Sequence, residues 1–322
     1  MRAVAASDRL DDFHSVSINT LLPSRCSDMD LFIQRSTKER PRLYRSHDIE
    51  FDMDDVRRLI AKGVRTLYIR KSDHQEYQDQ LRRILPALLG NEELPLSERY
   101  SCLAEVVRDT LATSFKQNDI SQAVASCTDL AKDCVRLLQR EDYTAKELVN
   151  VLQHDFCTFT HSANVGLLSV LLSRALGISD EEELRQITVG GLLHDLGKQE
   201  VPDYILTKPS KLTEQEFDIV KRHAVWGYRK LCHRNDISRG QLMMVYQHHE
   251  RVAGGGYPVG CPKGDIHYWA RICTVVDVFE ALSANRPYRR PLQRSQLFET
   301  MSRGENKLFD GEILRCWMSV MA

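Results

Sequence analysis

The sequence predicts a mainly α-helical protein that carries a small α+β domain at its N-terminus. From Asp142 onward, apolar residues recur at helical spacing in one segment after another, with no strand-like alternation. Strand-like runs are confined to the first 95 residues, at Asp30–Ile33 and Thr66–Arg70. With 322 residues, 42% hydrophobic and 28% charged, the chain is long and apolar enough for one large core or two smaller ones.

Residues 1–95 read as the α+β domain, with a regulatory role as the default for such a lead-in. Between its strands, Phe51–Ala61 sets Val56, Leu59 and Ile60 on one helical face, and Gly63 follows as a stop signal. A second amphipathic helix spans His74–Leu85. Residues 96–141 read as a helical connector, in which Leu103, Val106, Val107 and Leu111, then Leu130, Cys134, Leu137 and Leu138, recur at helical spacing. Such a stripe suits packing inside one chain or a homodimer surface equally well.

Residues 142–322 read as an all-helical domain. His161, Val165, Leu168 and Leu172 fall at i, i+4, i+7 and i+11, which puts the histidine on the buried stripe of its helix. Leu184, Ile187, Gly191 and the His194-Asp195 pair share a face of the next helix. Gly190 and Gly191 are each about 1 kcal/mol less favourable than alanine inside a helix, which close approach of another element would explain. Gly197 reads as a helix stop ahead of Pro202. Thr213-Glu-Gln-Glu216 is a capping box, and Phe217, Val220 and His223 follow it at i, i+3 and i+6 on the same helix. Leu242, Val245 and His249 fall at i, i+3 and i+7 with His248 beside them, and the pattern breaks at Ala253–Pro258. A last strong helix runs from about Tyr268 to Ser283, with Asp277 set among Ile272, Val275, Val276, Phe279 and Leu282.

Bulk properties narrow the function class. With 44 basic and 45 acidic residues the formal net charge is −1, so nothing draws the chain toward nucleic acid or an anionic membrane. Nine cysteines, an odd number without C-x-x-C spacing, argue against a disulfide framework or zinc ribbon and for a reducing compartment. Met1–Asp12 carries three acids and two arginines rather than an apolar leader. The most apolar stretch, Val165–Leu172, is broken by Ser169 and falls far short of the ~20 residues a spanning helix needs. The expectation is a cytoplasmic protein without membrane or nucleic-acid partners.

Six positions on or beside apolar faces bear metal-ligating groups: His161, His194, Asp195, His223, the pair His248 and His249, and Asp277. Singly, each has a plain reading, as a hydrogen-bonded core histidine or a capping or ion-paired aspartate. Jointly they are harder to dismiss. Five of the eleven histidines recur this way within about 90 residues, and two carboxylates join them. Buried carboxylates are unfavourable unless paired or bound to a cation. Imidazole with carboxylate suits iron, manganese or zinc. Seven ligands exceed what one ion requires, and two ions ~3.5–4 Å apart form a clamp for in-line attack on a phosphate ester. Asp195 is the choice for the bridge between them. Lys198, one turn further on, suits neutralisation of a phosphate oxygen, and a solvated lysine at a helix end reads equally well.

Ordered motifs add a resemblance. The chain from about Asp142 to Ala322 resembles the HD-GYP domain, an HD-superfamily hydrolase of cyclic di-GMP. The matching stretches are His161-Ser-Ala-Asn-Val165, His194-Asp-Leu-Gly-Lys198, Val201–Pro209, Leu212-Thr213, Lys221-Arg-His223 and Gly227. They continue through His248-His-Glu-Arg251, Gly254-Gly-Gly-Tyr-Pro258, Asp277 and Arg286-Pro-Tyr288. The resemblance implies that His161, His194, Asp195, His223, His248, His249 and Asp277 hold two divalent metals, iron or manganese. It also implies that a bridging hydroxide attacks phosphorus to give linear pGpG, and from it GMP. Lys198, Gly256, Tyr257, Pro258 and Arg286 would then contact the cyclic dinucleotide, and the Gly254–Pro258 loop would shape its pocket or meet signalling proteins.

Four positions depart from the family pattern. Cys157 stands where some members place a glutamate serving a third metal, which favours a binuclear site. Ala253 and Gly255 replace an Asp and a hydroxyl residue, so the loop is expected to lose hydrogen-bonding groups and gain flexibility. Glu280 replaces an Asp. Three functions remain in play from the sequence: a cyclic di-GMP phosphodiesterase, a hydrolase of another nucleotide, and a catalytically silent module signalling through protein contacts.

Overall fold

The structure, a computed structural model of the chain, describes residues 12–21, 29–34, 39–64, 66–91, 94–116, 119–138, 158–284 and 292–321. It divides into two compact units, Met1–Cys102 and Leu103–Ala322.

In the first unit, β1 (Phe13–Ser17), β2 (Leu31–Ile33), β3 (Arg42–Arg45) and β4 (Thr66–Arg70) form one antiparallel sheet in the order β1-β4-β2-β3. Phe13 pairs with Arg70, Phe32 with Tyr68 and Leu31 with Arg45. The period of two in β4 buries Leu67 and Ile69 while Thr66 faces solvent. α1 (Met53–Ala61) opens on a capping box in which the Asp52 carboxylate accepts from Asp55 N at 2.8 Å. α2 runs from His74 to Gly90, past the expected end and through Pro86, burying Tyr77, Leu81, Ile84, Leu85, Leu88 and Leu89. His14 and His74 are half-buried with their ring centroids 4.0 Å apart.

The division between units falls inside α3 (Leu96–Lys116). In the second unit, α4 (Ile120–Leu138) buries Val124, Cys127, Leu130, Ala131, Cys134 and Leu138, and packs against two further helices. These are α5 (Thr158–Ala175) and α6 (Glu181–Leu193). Of the two readings of the connector stripe, α4 takes packing inside the chain. After α7 (Asp203–Leu206) come α8 (Glu214–Lys221), α9 (His223–Leu231), α10 (Arg239–Gln247), α11 (Tyr268–Ser283), α12 (Arg294–Ser302) and α13 (Gly311–Met321). Among the described residues no helix is long and apolar enough to cross a membrane.

The core sits around α6, which packs on α4, α5 and α10, while α11 covers α5 and α10. The glycines of α6 permit this. A Cβ on Gly191 would lie 2.9 Å from Gly166 Cα, so α5 and α6 meet backbone to backbone. Gly197 does not simply stop a helix. It sits in a 3-10 turn, Leu196–Glu200, where a Cβ would collide with the His223 carbonyl and would lie 2.5 Å from Gly227 N, so the turn lies directly against α9. The Thr213 capping box forms as expected, with Thr213 N donating to Glu216 Oε2 at 2.7 Å. The helix that follows is shorter than expected. It ends at Lys221, and His223 opens a new helix, which leaves Phe217 47% exposed rather than buried with His223.

Candidate metal centre

Five helices deliver the seven expected ligands to one place. His161 lies in the first turn of α5, His194 caps the C-terminal end of α6 and Asp195 follows it, and His223 opens α9. His248 caps α10, with His249 next to it, and Asp277 comes from the buried face of α11. All are buried except His249, which is partly exposed.

Two donor groups form around a single carboxylate. His161, His194 and Asp195 make one, and Asp195, His223, His248 and His249 make the other. Asp195 Oδ2 is 3.6 Å from His161 Nε2 and 3.3 Å from His194 Nε2. Its Oδ1 is 3.5 Å from His223 Nε2 and 3.9 Å from His248 Nε2. Asp277 lies on the seam, with Oδ1 3.0 Å from His161 Nε2 and Oδ2 4.0 Å from His249 Nδ1. Each oxygen of Asp195 therefore serves a different histidine pair.

Hydrogen bonds on the far side of the rings decide which nitrogen faces the centre. His194 Nδ1 donates to Gly191 O at 2.6 Å, His223 Nδ1 to Val220 O at 2.7 Å, and His248 Nδ1 to Met244 O at 2.9 Å. A carbonyl only accepts, so each Nδ1 carries the proton and each Nε2 lone pair points inward. His161 uses a carboxylate instead. Its Nδ1 donates to Glu280 Oε2, and Glu280 is held in turn by Asn164 Nδ2 at 3.0 Å. This is the outer hydrogen-bonding arrangement that orients metal-ligating histidines.

The donor set fits divalent cations. His194 Nε2 and Asp195 Oδ1 are buried without a hydrogen-bond partner, an arrangement that a protein core rarely tolerates. His223 Nε2 and His248 Nε2, both lone-pair atoms, face each other at 3.2 Å with no proton between them. Burial lowers His223 to about 4 against the pull of Asp195, and burial lowers His249 to about 3, so both are neutral. Burial pushes Asp195 up, but Lys198 and His194 hold it well below the usual carboxylate range. His161 is the exception: burial opposes its charge, yet Glu280 and Asp277 raise it to about 10. A cation entering here meets neutral imidazoles, ionised carboxylates and one proton to displace.

Over this centre opens a cavity of about 390 Å³. It is lined by the ligands His161, His223, His249 and Asp277, by the aliphatic Val220, Val278, Ala281 and Leu282, and by Lys198 and Tyr257. Lys198 Nζ lies 2.5 Å from Asp195 Oδ2, so it is an ion-paired residue rather than a solvated one.

Residues 126–313 match the family described as HD domain. The chain belongs to the HD domain family. Its motifs are those of the HD-GYP group. Relatives of this HD domain protein include a cyclic di-GMP phosphodiesterase of Pseudomonas aeruginosa, 29% identical over 83% of the chain and 67% of that protein. Two others are a cyclic di-GMP phosphodiesterase response regulator of Xanthomonas campestris pv. campestris and a 3'3'-cGAMP-specific phosphodiesterase of Vibrio cholerae. The first is 36% identical over 53% of the chain, the second 34% over 87%. The chain spans only about half the length of these two, 46% and 52%. Among solved structures, an HD-GYP-type protein of Bdellovibrio bacteriovorus superposes with a TM-score of 0.69 over 96% of this chain and 99% of that one. At 18% identity this establishes the fold alone.

The remaining expected contacts of the HD domain divide. Tyr257 lines the cavity and stacks on His249, centroids 4.6 Å apart. Gly256 and Pro258 do not line it. Gly256 packs where a Cβ would lie 2.5 Å from Glu250 Cα, and Tyr257 N donates to His249 O at 3.2 Å. The Tyr257–Pro258 peptide is cis. Arg286 and Cys157 lie outside the described residues. The glycine loop keeps anchors that the sequence reading did not supply. The buried Glu250 carboxylate accepts from Val259 N at 2.7 Å and Gly260 N at 2.9 Å, and Ala253 N donates to Lys307 O at 3.0 Å. Glu250 and Glu280 are the functional residues whose roles sequence reasoning missed. The signal was available: Glu250 directly follows a ligand, and Glu280 lies about one turn from Asp277 in an otherwise apolar stretch.

Proposed function

We propose that the chain is a metal-dependent phosphodiesterase that hydrolyses cyclic di-GMP to linear pGpG at a binuclear centre. His161, His194, Asp195, His223, His248, His249 and Asp277 are its ligands, with iron or manganese as the metal. The observation that carries this reading is the sharing of Asp195 between two donor groups, with His194 Nε2 and Asp195 Oδ1 buried at the centre without a hydrogen-bond partner. Bound there, divalent cations supply Lewis-acid polarisation of a phosphate and an acidified water as nucleophile.

The residues of the chain do the rest. Lys198, which lines the cavity, meets a non-bridging phosphate oxygen and offsets its charge. Val220, Val278, Ala281 and Leu282 give the cavity an apolar portion beside the ligands. Burial, with the nearby Asp277 and Asp195 charges, raises the Tyr257 phenol well above its ordinary value. It therefore remains a hydrogen-bond donor toward substrate at neutral pH. Water adds across the P–O3′ bond, leaving a 5′-phosphate and a free 3′-hydroxyl.

Metal analysis of the purified protein, combined with chromatography of products from cyclic di-GMP, tests the reading. Manganese- or iron-loaded protein should form pGpG, and Asp195→Ala should form none. An intact dinucleotide after hours with loaded wild-type protein would sink the proposal and leave the silent signalling module in its place. A second reading, hydrolysis of another cyclic dinucleotide, is favoured by the Vibrio relative and by Ala253 and Gly255 in the loop. A substrate panel separates the two.

A further inference from the structure

Phe217 is a large aromatic residue that neither the ligand set nor the family motif employs. It is 47% exposed, although it sits on the same helix as the cavity-lining Val220. Its ring stands edge-on to Tyr257, centroids 6.4 Å apart at 85°. Tyr257 in turn stacks on His249. Lys221 Nζ lies 5.3 Å from the centroid of Phe217, over its ring, and pairs with Asp218 at 2.6 Å. Phe217 and the lysine thus stand beside Tyr257, which lines the cavity, with much of Phe217 open to solvent.

We propose that Phe217 is a substrate-binding residue that stacks a purine base of the substrate beside the cavity. This rests on the cyclic dinucleotide reading above. On the metal side the cavity is lined by three imidazoles and the Asp277 carboxylate, and the rest of its lining is mostly aliphatic. With a phosphate over the centre, a base attached through its ribose must lie away from the metal side. Aromatic surface suited to a base is found at Tyr257 and Phe217, and Tyr257 already shares its stacking with His249. An exposed ring held at a right angle to Tyr257, with an ammonium over it, presents a π-face to a planar heterocycle. Stacking does not read base identity, so this platform accepts guanine and adenine alike.

The test is steady-state hydrolysis of cyclic di-GMP and of 3'3'-cGAMP by manganese-loaded wild type, Phe217→Ala, Phe217→Leu and Phe217→Tyr. Stacking on an aromatic side chain is worth enough that its loss should raise KM about 10-fold or more. Both Ala and Leu should do so for both dinucleotides, with kcat within about twofold. Tyr should restore the wild-type KM, which a merely structural role would not require. Because the residue is half exposed, thermal midpoints should stay unchanged, and Leu preserves the helix surface if Ala perturbs it. Unchanged KM in Ala and Leu, a fall in kcat alone, or failure of Tyr to rescue overturns the assignment while leaving the functional reading intact. Absence of turnover by wild type on both substrates overturns the two together.

Discussion

His161 and Glu280, 119 residues apart in the chain, share a buried hydrogen bond between Nδ1 and a carboxylate oxygen. Glu280 bears on the centre through this imidazole. Its removal should therefore act on metal affinity before it acts on chemistry. Glu280→Ala is expected to weaken metal binding 10–100-fold, roughly the range for lost outer partners of metal-binding histidines. Glu280→Gln, whose amide oxygen still accepts, should fall between Ala and wild type. Calorimetric titration with manganese reads this directly, and equal affinities in all three proteins would refute it.

A second prediction concerns acidity in the metal-free protein. His161 is raised to about 10, so its favourable contribution to stability is fully present below its unfolded value and is lost as pH rises through about 10. His223 and His249 are lowered to about 4 and about 3, so theirs is present above the unfolded value and is lost as pH falls toward those values. Chelated protein should be most stable between the two windows. Metal affinity should rise with pH, since a cation must displace the His161 proton. Thermal melts in chelator from pH 4 to pH 10, with manganese titrations alongside, check both signs.

Asp195 is the shared ligand, and its loss should remove both ions rather than one. Manganese at about 100 times its dissociation constant should stabilise wild type by about 2.7 kcal/mol for each ion bound. Asp195→Ala should show no such rise in its thermal midpoint. Its turnover should fall at least about 10³-fold, since the ions contribute several kcal/mol to the transition state. A variant that still gains stability from manganese would indicate two independent sites.

The glycine loop yields a contrast between neighbours. At Gly256 a Cβ would meet only backbone, 2.5 Å from Glu250 Cα and 2.6 Å from His249 O, so nothing flexible can yield. Gly256→Ala should cost about 2–3 kcal/mol and raise KM by displacing Tyr257. At Gly255 the space is open but φ is +73°, so Gly255→Ala should cost only about 1 kcal/mol. Urea midpoints of the two variants give the difference.

The ligands were legible because each is polar on an apolar stripe, and a buried imidazole or carboxylate without a cation is unfavourable enough to announce itself. The close approach at Gly191 was readable for a similar reason, as an unfavourable residue that packing must compensate. Long-range relations were not legible. β1 (Phe-His-Ser-Val-Ser) and β3 (Arg-Leu-Tyr-Arg) are largely polar, and their pairing with distant partners leaves little local trace. The break between α8 and α9 was hidden because helical spacing carries straight through Arg222. Glu280 looked like a mild substitution because its partner lies on another helix.

The stacking of Tyr257 on His249, and the bond from Tyr257 N to the His249 carbonyl, join the substrate side of the pocket to its cation side. One residue that would hold a cation and one that would touch the dinucleotide cannot move independently. Thermodynamic reciprocity follows: whatever factor the cation contributes to dinucleotide affinity, the dinucleotide returns to the cation. Where the cation tightens dinucleotide binding, abundant dinucleotide tightens retention of the cation by the same factor.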